Sequence, residues 1–172
     1  MSIFDISSFE REGNTQNDIL LDNNNDVRDS INALTESALR TIKIFTPDLQ
    51  RDLYDNDIFR ENLLSFVRGN RHANIQILVT DSSFAIHQGH RLIRLAQQLT
   101  TAMQIRITPE DYQETSMAFM LVDHSDFIFK PNSTASSTLS SSCKHRGSKL
   151  LEFFTPAWEH AQIDPQIRQV SI

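Results

Sequence analysis

Two short apolar runs constrain the fold of this chain more than any other feature: Thr41-Ile-Lys-Ile-Phe45 and NIQILVTD, residues 74–81. Each is short, rich in β-branched residues and bounded by turn formers, so each reads as a strand. Between them Phe59, Leu63, Phe66 and Val67 recur at helical spacing over residues 57–68, with Asp55-Asn56-Asp57 as a capping cluster before them and Gly69 after. Two strands joined through a helix make a parallel crossover unit.

The rest of the chain extends that unit. Val27, Ile31, Leu34 and Ala38 predict a helix over residues 27–40. Leu92, Leu95, Ala96 and Leu99 predict another over residues 85–99. Strands follow at residues 103–107, 116–123 and 126–130, the last two separated only by His124 and Ser125 and so read as a hairpin. Residues 131–142, eight of them Ser or Thr, are expected to form a mobile loop. A final helix is expected from about Ser148, kinked or restarted at Thr155 because Pro156 lies inside it. This order predicts an α/β domain with a mixed β-sheet flanked by helices. Residues 1–26, acidic and asparagine-rich, are expected to be a flexible tail ahead of a domain at 27–172.

Composition limits the function. No stretch approaches the apolar length of a membrane span. The N-terminus shows no basic-then-apolar secretion signal, and Cys143 is the single cysteine, so no internal disulfide forms; the expected location is cytoplasmic. Of the net charge of −6, residues 1–30 carry −5 and the remainder is close to neutral. Bulk nucleic-acid binding draws on a basic excess, which this body lacks.

TIKIFTPDL, NIQILVTD, the run GHRLIRLAQQL, SMAFMLVD, the hairpin DHSDFIFKPN that shares its Asp123, and the terminal FFTPAWEH follow one another from about Ala38 to His160. With that order the chain resembles one half of the phospholipase D fold. It is more specifically similar to an uncharacterised bacterial phospholipase-D-like domain that is sometimes joined to an N-acetyltransferase domain. The resemblance implies a catalytic signature His-x-Lys-x-x-x-x-Asp on one strand, its histidine attacking phosphorus and its lysine holding the phosphate charge. Aligned on Asp123, the histidine position is Ser116 and the lysine position Ala118. Neither replacement supplies the lost chemistry, so the motif is degenerate and the expectation is a half-domain without catalysis. The resemblance also implies pairing of two halves. The Phe- and Met-rich hairpin (Met117, Phe119, Met120, Phe127, Phe129) is therefore expected to be an exposed apolar patch that joins two copies or docks a protein partner.

A second candidate site is basic. His87, His90, Arg91 and Arg94 fall at i, i+3, i+4 and i+7, and share a face if one helix contains them all. Asp81 ends the strand leading to that helix, at the strand end where α/β sheets bind ligands. The pattern fits a phosphate-containing small ligand, and the plainer reading is a solvated helix face, since a helix needs a polar side in any case. It also permits the alternative of a phosphodiester-acting enzyme rebuilt around Asp81, His87 and His90. No metal-binding motif, Gly-rich phosphate loop or nucleophile elbow is present, so no cofactor or metal is expected. Cys143, beside the basic Lys144, His145, Arg146 and Lys149, reads as a free, inert thiol.

Overall fold

The computed structural model describes residues 4–12 and 17–168. Its frame is a seven-stranded sheet in the order β1-β7-β6-β5-β2-β3-β4. The strands are β1 (Asp18–Leu21), β2 (Thr41–Thr46), β3 (Asn74–Val79), β4 (Met103–Ile107), β5 (Ala118–Val122), β6 (Asp126–Lys130) and β7 (Ser137–Ser140). β2, β3 and β4 are parallel, as the crossover pattern requires, and the β2–β5, β5–β6, β6–β7 and β1–β7 pairings are antiparallel.

Period-two alternation divides the sheet between two cores. Ile42, Ile44, Ile75, Ile77, Met120 and Ile128 face one layer of helices. That layer holds α2 (Asn24–Ser37), α3 (Arg51–Tyr54), α4 (Asp57–Gly69), α5 (Ser83–His87) and α6 (Arg91–Gln98), with α8 (Pro165–Arg168) at its margin. Phe45, Leu78, Phe119, Leu121, Phe127 and Phe129 face the other way, against α1 (Ile6–Arg11) and α7 (Lys144–His160).

Several expectations need correction. The hairpin is not an exposed patch: Met117, Phe119, Met120, Phe127 and Phe129 are all at most 2% exposed. Helices lie on both its faces, α2 on one and α1 with α7 on the other, so its apolar content is core and gives no reason for two copies to join. The described parts of the acidic N-terminal segment, residues 4–12 and 17–26, pack on the sheet and its helices. Phe9 is buried, with its ring 4.5 Å from that of Phe129, and β1 pairs with β7. The Ser/Thr-rich stretch contains β7, a strand that composition hides because side-chain hydroxyls carry no apolar period.

The last helix begins at Lys144 and runs through Pro156 without a break. The hairpin turn spans Asp123 to Ser125, with Asp123 and His124 at φ 50° and 63° and the Ser125 N–H donating to the Val122 carbonyl at 3.2 Å. Those left-handed residues match the right-handed strand twist.

Candidate functional site

Parallel β2, β3 and β4 end together, and antiparallel β5 starts at the same end, Phe119 standing opposite Phe45. Backbone hydrogen bonds bind this rim. Thr80 N–H donates to the Thr46 carbonyl (3.3 Å), Asp81 N–H to Pro47 (2.9 Å) and Thr108 N–H to Val79 (2.9 Å). Ser116 is exposed here and Ala118 half-buried, both ahead of the apolar run of β5. Ala118 pairs directly with Lys130, so the two side chains lie on one sheet face as near neighbours. Asp48 and Asp81, both exposed, follow the ends of β2 and β3 and make the rim acidic. The Ser83 backbone N–H, at 2.9 Å from Oδ1, holds the Asp81 carboxyl below its ordinary range.

Asp123 stands at the far end of β5, about 23 Å from Ser116 at the usual strand rise. Its carboxylate accepts three backbone N–H groups: Leu39 at 2.7 Å, Arg40 at 2.7 Å and Thr41 at 2.9 Å. The Asp123 N–H donates in turn to the Thr41 carbonyl at 3.0 Å. Asp123 therefore clamps the entry to β2 against the hairpin.

The basic stripe does not form. α5 ends at His87 because Gly89, at φ 65°, closes it. Gly89 N–H donates to the Ile86 carbonyl and His90 N–H to Ala85, the double bond of a glycine-terminated helix. α6 then starts afresh with His90 as its cap, Nδ1 accepting from Leu92 N–H at 3.1 Å. His90 is fully buried, and its Nε2 has no well-formed hydrogen bond among the described residues. Burial pushes its pKa below 6.5, offset in part by Asp55 and the Leu49 backbone. His87, Arg91 and Arg94 remain exposed, on two helices rather than one face.

Asp55, placed by sequence among capping residues, is the group that organises this corner. Its side chain is 4% exposed and accepts from Arg51 Nε at 3.0 Å and Arg91 N–H at 3.3 Å. Arg91 Nε lies 3.8 Å from Asp55, and Arg91 Nη1 lies 3.5 Å from Asp57. Asn56 takes the capping role instead, its Oδ1 accepting from Phe59 N–H. The sequence signal for the broken helix was Gln88-Gly89-His90, a glycine followed by a residue able to cap. Nothing marked Asp55 as an arginine clamp, since that depends on the α3–α6 packing.

No hydrogen bond or ion pair joins Asp81, His87 and His90 among the described residues. Those residues likewise contain no group of three His, Cys, Asp or Glu able to hold a metal ion. Lys43, on β2, is 7% exposed with its pKa lowered by burial. His124 is lowered by burial first and then by Lys43.

Comparison with known structures places the fold. An archaeal chromatin protein, TrmBL2, with a novel mode of DNA binding, superposes with a TM-score of 0.63 at 12% identity. The match covers 88% of this chain and 55% of that one, so this chain spans about half the length of the chromatin protein. Nuc of Salmonella typhimurium, a phospholipase D family member, gives 0.56 at 11% identity over 80% and 90% of the two chains. NucT of Helicobacter pylori gives 0.55 at 10% identity over 86% and 97%. These likenesses establish a phospholipase-D-like fold. No helix among the described residues is long and apolar enough to cross a membrane. No curated protein matches the chain in sequence. A family model does match residues 23–170, and the chain belongs to the family described as the domain of unknown function DUF7931.

Proposed function

We propose that the chain is a non-catalytic phospholipase-D-like binding module. The observation that supports this reading is the pair at the start of β5: an exposed hydroxyl at Ser116 and a methyl at Ala118, where the resemblance to phospholipase D implies an imidazole and an ammonium. Lys130, across from Ala118, can hold negative charge but supplies no nucleophile. The rebuilt enzyme around Asp81, His87 and His90 is disfavoured, because His90 is buried and its Nδ1 is committed to capping α6. DNA binding by the chromatin protein is not carried over, since the body of this chain has no basic excess.

A phosphate-containing ligand would find Arg94 the freest cation of the basic corner, Arg51 and Arg91 being engaged by Asp55. Melting the protein in rising pyrophosphate tests this. Stabilisation that grows with pyrophosphate and disappears in Arg94→Glu is expected. The same melting curve for both proteins at every pyrophosphate level would remove the anion ligand from the proposal.

A further inference from the structure

β1 is an edge strand, and it is poorly protected. Edge strands usually carry lysine, proline or a bulge that keeps other strands away. β1 reads Asp-Ile-Leu-Leu, with Ile19 56% and Leu20 64% exposed. Its two exposed aliphatics point to opposite faces of the sheet. Each face has a depression beside the edge.

On the α2 face a groove of about 480 Å³ is floored by Leu21, Leu139, Ala33 and Leu34 and rimmed by Asp26 and Asp29. Ile19, paired with Leu139, lies on the same face of the sheet as this groove. On the α1 face a cleft of about 330 Å³ is lined by Leu20, Phe9 and Phe129, with Glu10, Asp18 and Arg146 as its charged members. Arg146 is already held by Asp18 at 2.6 Å and by Ser140 Oγ at 3.0 Å.

An added strand sends alternate side chains to opposite faces, which is how edge pairing combines main-chain affinity with side-chain selectivity. We propose that β1 receives an extended segment of a partner protein, its apolar side chains seated beside the two depressions and flanked by Lys or Arg. Charge selects this occupant. Residues 1–30 balance at −5, and the groove on the α2 face is rimmed by two carboxylates. A second copy of the chain is the poorer fit, because twofold pairing through β1 brings the same acids together. The inference rests on the binding-module reading and gives it a partner chemistry.

The test uses the intact chain and a labelled peptide with a core of about four consecutive valines, the length of β1, which presents apolar side chains to both faces, and with lysines at each end. Fluorescence anisotropy is expected to show saturable binding that weakens with salt. The same peptide with glutamate in place of each lysine is expected to bind at least about tenfold more weakly. Ile19→Lys with Leu20→Lys is expected to abolish binding without moving the melting temperature. Hydrogen exchange is expected to slow at Ile19 or Leu20 when the basic peptide is bound.

Three results would overturn the inference: binding unchanged by the two lysines, equal binding of the acidic peptide, or a doubling of mass in solution that the two lysines abolish. The last would assign the edge to a second copy. Phosphodiester turnover, measured on the same sample, reports on the binding-module reading separately, so failure of one is distinguishable from failure of the other.

Discussion

Asp123 joins the hairpin turn to the entry of β2. Three backbone N–H groups at 2.7–2.9 Å converge on one carboxylate, and a hydrogen bond to a charged acceptor contributes about 1.5–3 kcal/mol net of exchange with water, less where it is exposed. Asp123→Ala is expected to lower stability by roughly 2 kcal/mol or more, read from the urea midpoint. No change would mean the clamp is idle. The histidines set a pH dependence. His90 and His124 both have folded-state pKa values lowered below 6.5, burial being the first cause in each. Unfolding raises their proton affinity, so their contribution is fully present above about pH 6.5 and is lost as pH falls through the lowered values. His124→Asn, which keeps a residue tolerant of the left-handed turn, is expected to flatten part of that slope. An unchanged slope would remove His124 from the account. At this scale the sequence was legible only in part: it located Asp123 as a turn residue, but the N–H groups it binds lie more than eighty residues away.

Elements were legible where the apolar period is strong. The expected cores of β2, β3, β4 and β6, and of α4, match the structure to within a residue or two. β1 and β7 were missed as strands. β7 is built of Ser, Thr and Leu, and its burial comes from the partners on each side rather than from its own pattern. α6 was read as the second part of a longer helix because its inner face, Leu92, Leu95 and Ala96, is periodic while the glycine break upstream is a single residue. Gly147 marks the other close approach. A Cβ there would sit 2.1 Å from the His124 carbonyl oxygen, so α7 crosses the hairpin turn with no space to spare. Gly147→Ala would gain about 1 kcal/mol of helix propensity, yet displacing backbone in a packed contact costs about 1–3 kcal/mol. The clash is expected to win, giving a lower denaturation midpoint. A higher midpoint would show that the turn can retreat freely.

For the molecule as a whole, the proposed reading separates the frame from the chemistry. The sheet order, the parallel crossovers and the hairpin are those of a phospholipase-D-like fold. The frame was readable because it depends on long apolar runs, whereas the binding surface depends on which side chains the folded edges leave uncovered. The start of β5, where the resemblance to phospholipase D implies the catalytic pair, holds Ser116 and Ala118, at the same rim as Asp48 and Asp81. The most direct test is hydrolysis of a chromogenic phosphodiester by the purified chain, alongside Ser116→Ala and Ser116→His. The account predicts a rate equal to buffer for all three, because a histidine restored at 116 still lacks the lysine at 118. Steady turnover by the unmodified chain that Ser116→Ala abolishes would contradict it.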